Sequence, residues 1–161
     1  MLTKTTRTGL QTLLYLALRG DDEPTSPRVI AAALHCSPSY LAKVTGQLVR
    51  AGILSAHRGV KGGVTLSRKP REITLLEVVQ ALQGPVLGDY CSSSLPDPLL
   101  CQFHHAMYAL HRAMLDTLTR WSLADIATDP GPGTGLVRNA ACIMHPILVH
   151  AGTPAGKRSR K

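Results

Sequence analysis

The sequence predicts a mainly α protein, a winged helix-turn-helix domain with a two-stranded wing and a long dimerisation helix. Three observations predict it. Between Val29 and Ser67 two short helical patterns, a tight turn and a basic hairpin follow one another in a single run. The second helical pattern has a marked start at Ser37-Pro38 and a marked stop at Gly52. Beyond residue 99, apolar residues recur at intervals of three and four, the spacing of a helical seam.

With 161 residues the chain has room for one domain with a real core, or a small domain plus an extension. The composition divides it into a winged helix-turn-helix domain (1–84), a cysteine-containing loop (85–99), a dimerisation helix with a short following helix (100–128), and a Pro/Gly-rich basic tail (129–161) that reads as flexible.

From Thr6 to Arg19 the residues Leu10, Leu13, Leu14, Ala17 and Leu18 share one helical face, with Lys4 and Arg7 at its entry. Gly20 and the acidic Asp21, Asp22 and Glu23 end that pattern. Ser26 and Pro27 then read as an N-cap and first helical residue, and Val29, Ile30 and Ala33 as the packing face of a second helix. In the helix that begins after Ser37, Leu41, Val44 and Leu48 face a core, while Ser39, Tyr40, Lys43 and Gln47 point outward as groups able to touch bases and phosphates. Ile53–His57 and Val64–Ser67 read as strands joined by Arg58-Gly-Val-Lys-Gly-Gly63, whose cationic tip suits a wing lying along DNA.

Thr74-Leu-Leu-Glu77 has capping-box spacing, with Ile73 and Val78 placed as a hydrophobic staple, and predicts a helix over 75–83 closed by Gly84 and Pro85. Residues 86–99 lack periodicity and read as a loop. Leu100, Phe103, Met107, Leu110, Met114 and Trp121 form the seam against which a partner helix would pack, and Ser122 to Asp125 starts one further short helix. A helix-turn-helix gains affinity and spacing specificity by reading two half-sites, which favours a homodimer.

The formal charge of +8 is uneven. Residues 1–84 hold 11 basic and 5 acidic side chains, 85–128 hold 2 and 4, and 129–161 hold 5 and 1. Basicity therefore gathers on the predicted reader and the tail, and points to double-stranded DNA rather than a membrane as partner. No long apolar run or signal-peptide pattern is present, so the expected location is cytoplasmic and the four cysteines are not expected to form a disulfide framework. Cys36, within the reading unit, is expected to be a small core residue, and Cys142 and His145 are isolated. No paired acid and base, nucleophile constellation or phosphate-cradling loop supports an enzyme. Gly59, Gly62 and Gly63 lack the strand-loop-helix setting of a phosphate loop.

Ser37-Pro-Ser-Tyr-Leu41, Arg58-Gly-Val-Lys-Gly-Gly63 with its Arg68–Pro70 ending, and Glu72-Ile-Thr-Leu-Leu-Glu-Val-Val79 resemble the Rrf2 family of winged helix-turn-helix transcriptional regulators, over residues 1–128. The resemblance implies a sequence-specific DNA-binding regulator, a homodimeric repressor, with contacts of the kind made by Ser37, Ser39 and Tyr40 near the reader start, Lys43 on its outer face, and Arg58 and Lys61 in the wing. A family position that discriminates target sequences is Ala42 here, where an acidic residue stands in some members.

Several members hold an iron-sulfur cluster before the dimerisation helix with three cysteines and a fourth ligand. Cys91 and Cys101 resemble the first and last of these, and Cys101-Gln-Phe-His104 is similar to the spacing that supplies a histidine. The middle cysteine has no counterpart, Ser92, Ser93, Ser94 and Asp97 standing in that loop. On the residues alone, Cys101 and His104 share a helical face beside His105, and Cys91 lies on a loop that can fold back. Two thiolates and two imidazoles suit a [2Fe-2S] cluster or tetrahedral zinc. The other reading leaves them as plain thiols and surface histidines, in a cofactor-free regulator controlled by a small effector or partner protein.

Overall fold

The computed structural model describes residues 2–59, 62–86 and 101–127. Helix α1 (Lys4–Arg19) starts two residues earlier than its apolar pattern suggests, because the Thr6 amide donates to the Thr3 hydroxyl at 3.1 Å and caps the first turn. Gly20 ends it at φ 66°. Leu10, Leu13, Leu14 and Leu16 are buried, and so are Thr6, Thr8 and Thr12. The Thr12 hydroxyl is satisfied by donating to the Thr8 carbonyl at 2.8 Å, so the helix buries it without an orphaned polar group.

Helix α2 (Pro27–Ala33) packs through Ile30 and Ala31. Val29 is 51% exposed and Ala33 only half-buried, which corrects the packing face read from the sequence. Helix α2 is too short for spacing to define its inner side. Pro27 opens the helix, but the Ser26 side chain makes no capping bond. The Ser26 carbonyl instead takes the Val29 and Ile30 amides.

Helix α3 (Pro38–Arg50) begins as its sequence dictates: the Tyr40 amide donates to Ser37 Oγ at 3.2 Å, with Pro38 at the first helical position. Leu41, Val44 and Leu48 are buried against the rest of the core, each contributing about 1.5–3 kcal/mol by transfer from water. Gly52, at φ 69°, then turns the chain into the wing.

Strands β1 (Leu54–His57) and β2 (Gly63–Leu66) pair antiparallel with Leu54 opposite Leu66 and His57 opposite Gly63. Ile53 and Ser67, read as strand residues, flank the ladder, joined by a bond from the Ser67 amide to the Ile53 carbonyl at 3.1 Å. The wing is clamped to the helices by an isolated bridge. Thr25 N donates to Val64 O at 3.0 Å and Val64 N to Thr25 O at 2.9 Å.

After a 3-10 turn at Pro70–Glu72, helix α4 (Leu75–Gln83) carries the predicted capping box, and Ile73 and Val78 are fully buried. Helix α5 (Gln102–Arg120) has no buried residue, and it leads into α6 (Leu123–Ala127). The chain returns to the core there: Leu75 N donates to Trp121 O at 2.9 Å, Leu123 N to Ile73 O at 2.8 Å, and Leu123 is fully buried beside the helices of the reader. Ser122 and Asp125 cap α6 reciprocally, as their spacing suggests. Most of the 85–99 loop and the whole 129–161 tail, with Cys142 and His145, lie outside the described residues.

The Glu77 box has a pH signature. Burial alone would raise the Glu77 carboxyl, but the Thr74 amide, the Arg68 guanidinium 3.0 Å away and the Thr74 hydroxyl outweigh it and hold the group below the usual glutamate range. A carboxyl depressed on folding stabilises the fold above its unfolded pKa, and that contribution is lost as pH falls through the folded value. The urea midpoint of Glu77→Gln should therefore lie below that of the wild type at neutral pH, the gap closing as pH falls below the usual glutamate range. A gap independent of pH would contradict this.

Candidate nucleic-acid interface

The core places α3 so that one long side faces solvent. Ser37, Ser39, Ala42, Lys43 and Arg50 are exposed, and Tyr40, Gly46 and Gln47 are half-buried. The predicted reader residues therefore share one surface, with differences in freedom. The Ser37 hydroxyl is occupied as the cap and lies 3.4 Å from Ser39 Oγ. Tyr40 leans on α1, its hydroxyl 3.5 Å from Thr5 Oγ1 and its ring 5.8 Å below Lys4 Nζ. Lys43 stands free of ion pairs among the described residues. On the wing, Arg58 is exposed at the end of β1, whereas Lys61 lies outside the described residues.

Sequence reading passed over Arg50, which follows Ala42 and Gly46 at successive intervals of four and so extends the same surface row to the end of the helix. The available signal was charge: from Pro24 to Arg71 the chain has eight Lys or Arg and no Asp or Glu. A surface built from that stretch meets an anionic partner without internal competition.

The cysteine site is less assembled. Cys101 is exposed at the N-cap of α5, its side chain making no capping bond. His104 Nδ1 is buried without a hydrogen-bond partner, His105 is exposed, and Cys91 lies outside the described residues. No group of three His, Cys, Asp or Glu able to hold a metal is assembled among the described residues. Cys36 is half-buried, and burial pushes its thiol up, Lys4 partly offsetting the shift. That disfavours the thiolate, the form that reacts.

On α5 the predicted seam divides. Met107 and Met114 are half-buried against the rest of the chain, whereas Phe103 is 61% and Leu110 49% exposed, as is Trp121 at the C-cap, and Leu100 lies outside the described residues. His111 Nε2 lies 2.8 Å from the Val86 carbonyl and fixes the middle of α5 to the end of α4.

A capped helix presented to solvent beside a basic antiparallel hairpin defines a winged helix DNA-binding protein. The profile of the Rrf2 family, described as an iron-dependent transcriptional regulator, matches residues 2–129. The chain belongs to the Rrf2 family, and is a DNA-binding transcriptional regulator rather than an enzyme. It is 30% identical over 152 residues to protein rrf2 of Nitratidesulfovibrio vulgaris, covering 92% of this chain and 99% of that one. It is 29% identical over 132 residues to the HTH-type transcriptional regulator NsrR of Geobacillus kaustophilus, covering 80% and 90%. Among solved structures, CymR, the global cysteine regulator of B. subtilis, superposes with a TM-score of 0.68 at 27% identity over 80% of this chain and 98% of that one. No helix among the described residues is long and apolar enough to cross a membrane.

Proposed function

We propose that the protein is a cytoplasmic homodimeric repressor that reads its operator with Ser37, Ser39, Tyr40 and Lys43 of α3 and with Arg58 and Lys61 of the wing. The observation that carries this reading is the exposed polar side of α3 set beside the cationic hairpin, in a stretch free of carboxylates. The wing arginine suits a minor groove, where the potential is most negative and its planar fork fits the floor. Arg58→Ala should weaken binding to a duplex enriched from a randomised pool by about tenfold and make the salt dependence shallower by about one unit of log slope per protomer. Unchanged binding across salt would contradict the wing assignment. The exposed Phe103 and Leu110 on α5 support the dimer.

The domain division at 84, 99 and 128 gives this reading its parts: a reader, a sensor loop, a pairing helix and a basic tail. The sensor is the start of α5. The orphaned His104 Nδ1 fits an imidazole awaiting an acceptor or a metal, one turn from the exposed Cys101 thiol, and Cys91 and His105 complete a candidate [2Fe-2S] ligand set. A bound cluster would supply a redox- and ligand-sensitive tie there. The chain's own contribution is mechanical: movement of the α5 start alters the angle between protomers, and with it the spacing of the two readers. The family's description as iron-dependent supports this. A cofactor-free regulator answering to a small effector or partner protein is the second reading, supported by the unassembled ligands. Iron, sulfide and visible absorption of protein purified without oxygen decide between them. The cluster reading expects a coloured protein that loses iron in Cys101→Ser, and a colourless protein after reconstitution overturns it.

A further inference from the structure

Between the C-terminal half of α3 and the wing runs an open cleft of about 580 Å³. Ala42, Gly46 and Arg50 form one wall, and Ala56, Gly59 and Gly62 belong to the other. Thr45, Val49 and His57 also line it, and no carboxylate does, so the cleft meets an anion without repulsion.

Gly46 is the informative residue. Glycine inside a helix is less stable than alanine, and packing usually explains its presence. At Gly9 a Cβ would strike the Leu82 side chain, and that glycine lets α1 and α4 meet. At Gly46 a Cβ meets only Arg50 Nη1, at 3.8 Å, an ordinary contact. Its φ is not positive either. Nothing among the described residues calls for the missing side chain, and Gly46 lines the open cleft. Arg50, whose guanidinium lies back over Gly46, has no ion pair or hydrogen bond among the described residues.

The reader helix on one side of the cleft is the major-groove element, and the hairpin on the other is the minor-groove element. What separates a major groove from its adjacent minor groove in a duplex is one sugar-phosphate strand. We propose that this strand lies in the cleft, a phosphate against Arg50 and a deoxyribose over Ala42, Gly46 and Ala56. Gly46 then sets how closely α3 approaches the duplex, and Arg50 is a backbone-contacting residue. The proposal rests on the assignment of α3 and the wing to DNA.

The test uses the full-length protein and a duplex enriched by the wild type from a randomised pool. Gly46→Ala should raise the melting temperature by about 2–8 °C, since alanine favours the helix, yet weaken duplex binding about fivefold or more. Arg50→Ala should weaken binding about tenfold and lower the log-log salt slope by about 0.9 per protomer. Gly46→Ala that binds as tightly as the wild type, or Arg50→Ala with an unchanged salt slope, overturns the cleft proposal. If these variants match the wild type while Arg58→Ala is impaired, the cleft alone is wrong. If the wild type has no affinity for any duplex, the interface assignment itself fails.

Discussion

Leu110→Glu should convert the protein from a species of twice the protomer mass to one of 17.2 kDa, measured by sedimentation equilibrium. Leu110 lies mid-helix on α5 and is 49% exposed in the protomer, so a carboxylate there is solvated and leaves the fold intact. In a dimer the same carboxylate is enclosed without a partner, which costs several kcal/mol and exceeds what a helix seam of this length can offset. Duplex affinity should drop about 100-fold or more, because each protomer then binds without the effective concentration its partner provided. Thr119→Glu, at an exposed position off the seam, should leave the mass unchanged. A Leu110→Glu protein that remains a dimer would place the interface elsewhere.

Gly63→Ala should lower stability by about 2–4 kcal/mol, the sum of overpacking and a weakened backbone pair. A Cβ at Gly63 falls 2.8 Å from the Ser26 nitrogen and closer still to the Thr25 carbonyl. Those are backbone atoms, so relief requires the strand to lift. Lifting it opens the Thr25–Val64 bridge, which joins the wing to the helices. The variant should melt lower and bind duplex more weakly, because the wing no longer keeps its place beside α3. An unchanged melting temperature would show that the bridge is dispensable. The same substitution at Gly46 is expected to move stability in the opposite direction, which makes the pair of glycines an internal control on the packing argument.

The parts that the sequence made legible are those determined within a few residues. Ser37-Pro38 before α3 and the Thr74–Glu77 box appear as their spacing dictates, because a cap is a contact between residues three apart, and a short helix starts at Ser122–Asp125 as read. The inward Leu41, Val44 and Leu48 were legible from helical period. What escaped depends on distant partners. Thr6, Thr8, Thr12 and Thr45 are buried, against their polarity, and the hydroxyls of Thr12 and Thr45 donate to the carbonyl four residues back. Val29 faces solvent because Ile30 and Ala31 meet the core instead. Leu123 enters the core through backbone bonds joining residues nearly fifty positions apart, about which local pattern is silent.

The candidate sites divide along the same line. The exposed face of α3 was legible because a helix exposes whatever its apolar face does not claim. The cleft beside it was not, since its walls come from α3 and the wing together and its defining feature is the missing side chain at Gly46. The cysteine site was legible only as a spacing on α5. Its closure depends on Cys91, which lies outside the described residues.

On the proposed reading, α3 and the wing form a cationic surface that grips duplex DNA. Equilibrium binding of the wild-type protein to its enriched duplex over a range of salt tests it most directly. Log affinity should fall linearly with log salt, with a slope of several units that becomes shallower when Arg58 is removed. Absence of duplex binding at low salt, or an affinity indifferent to salt, would contradict it.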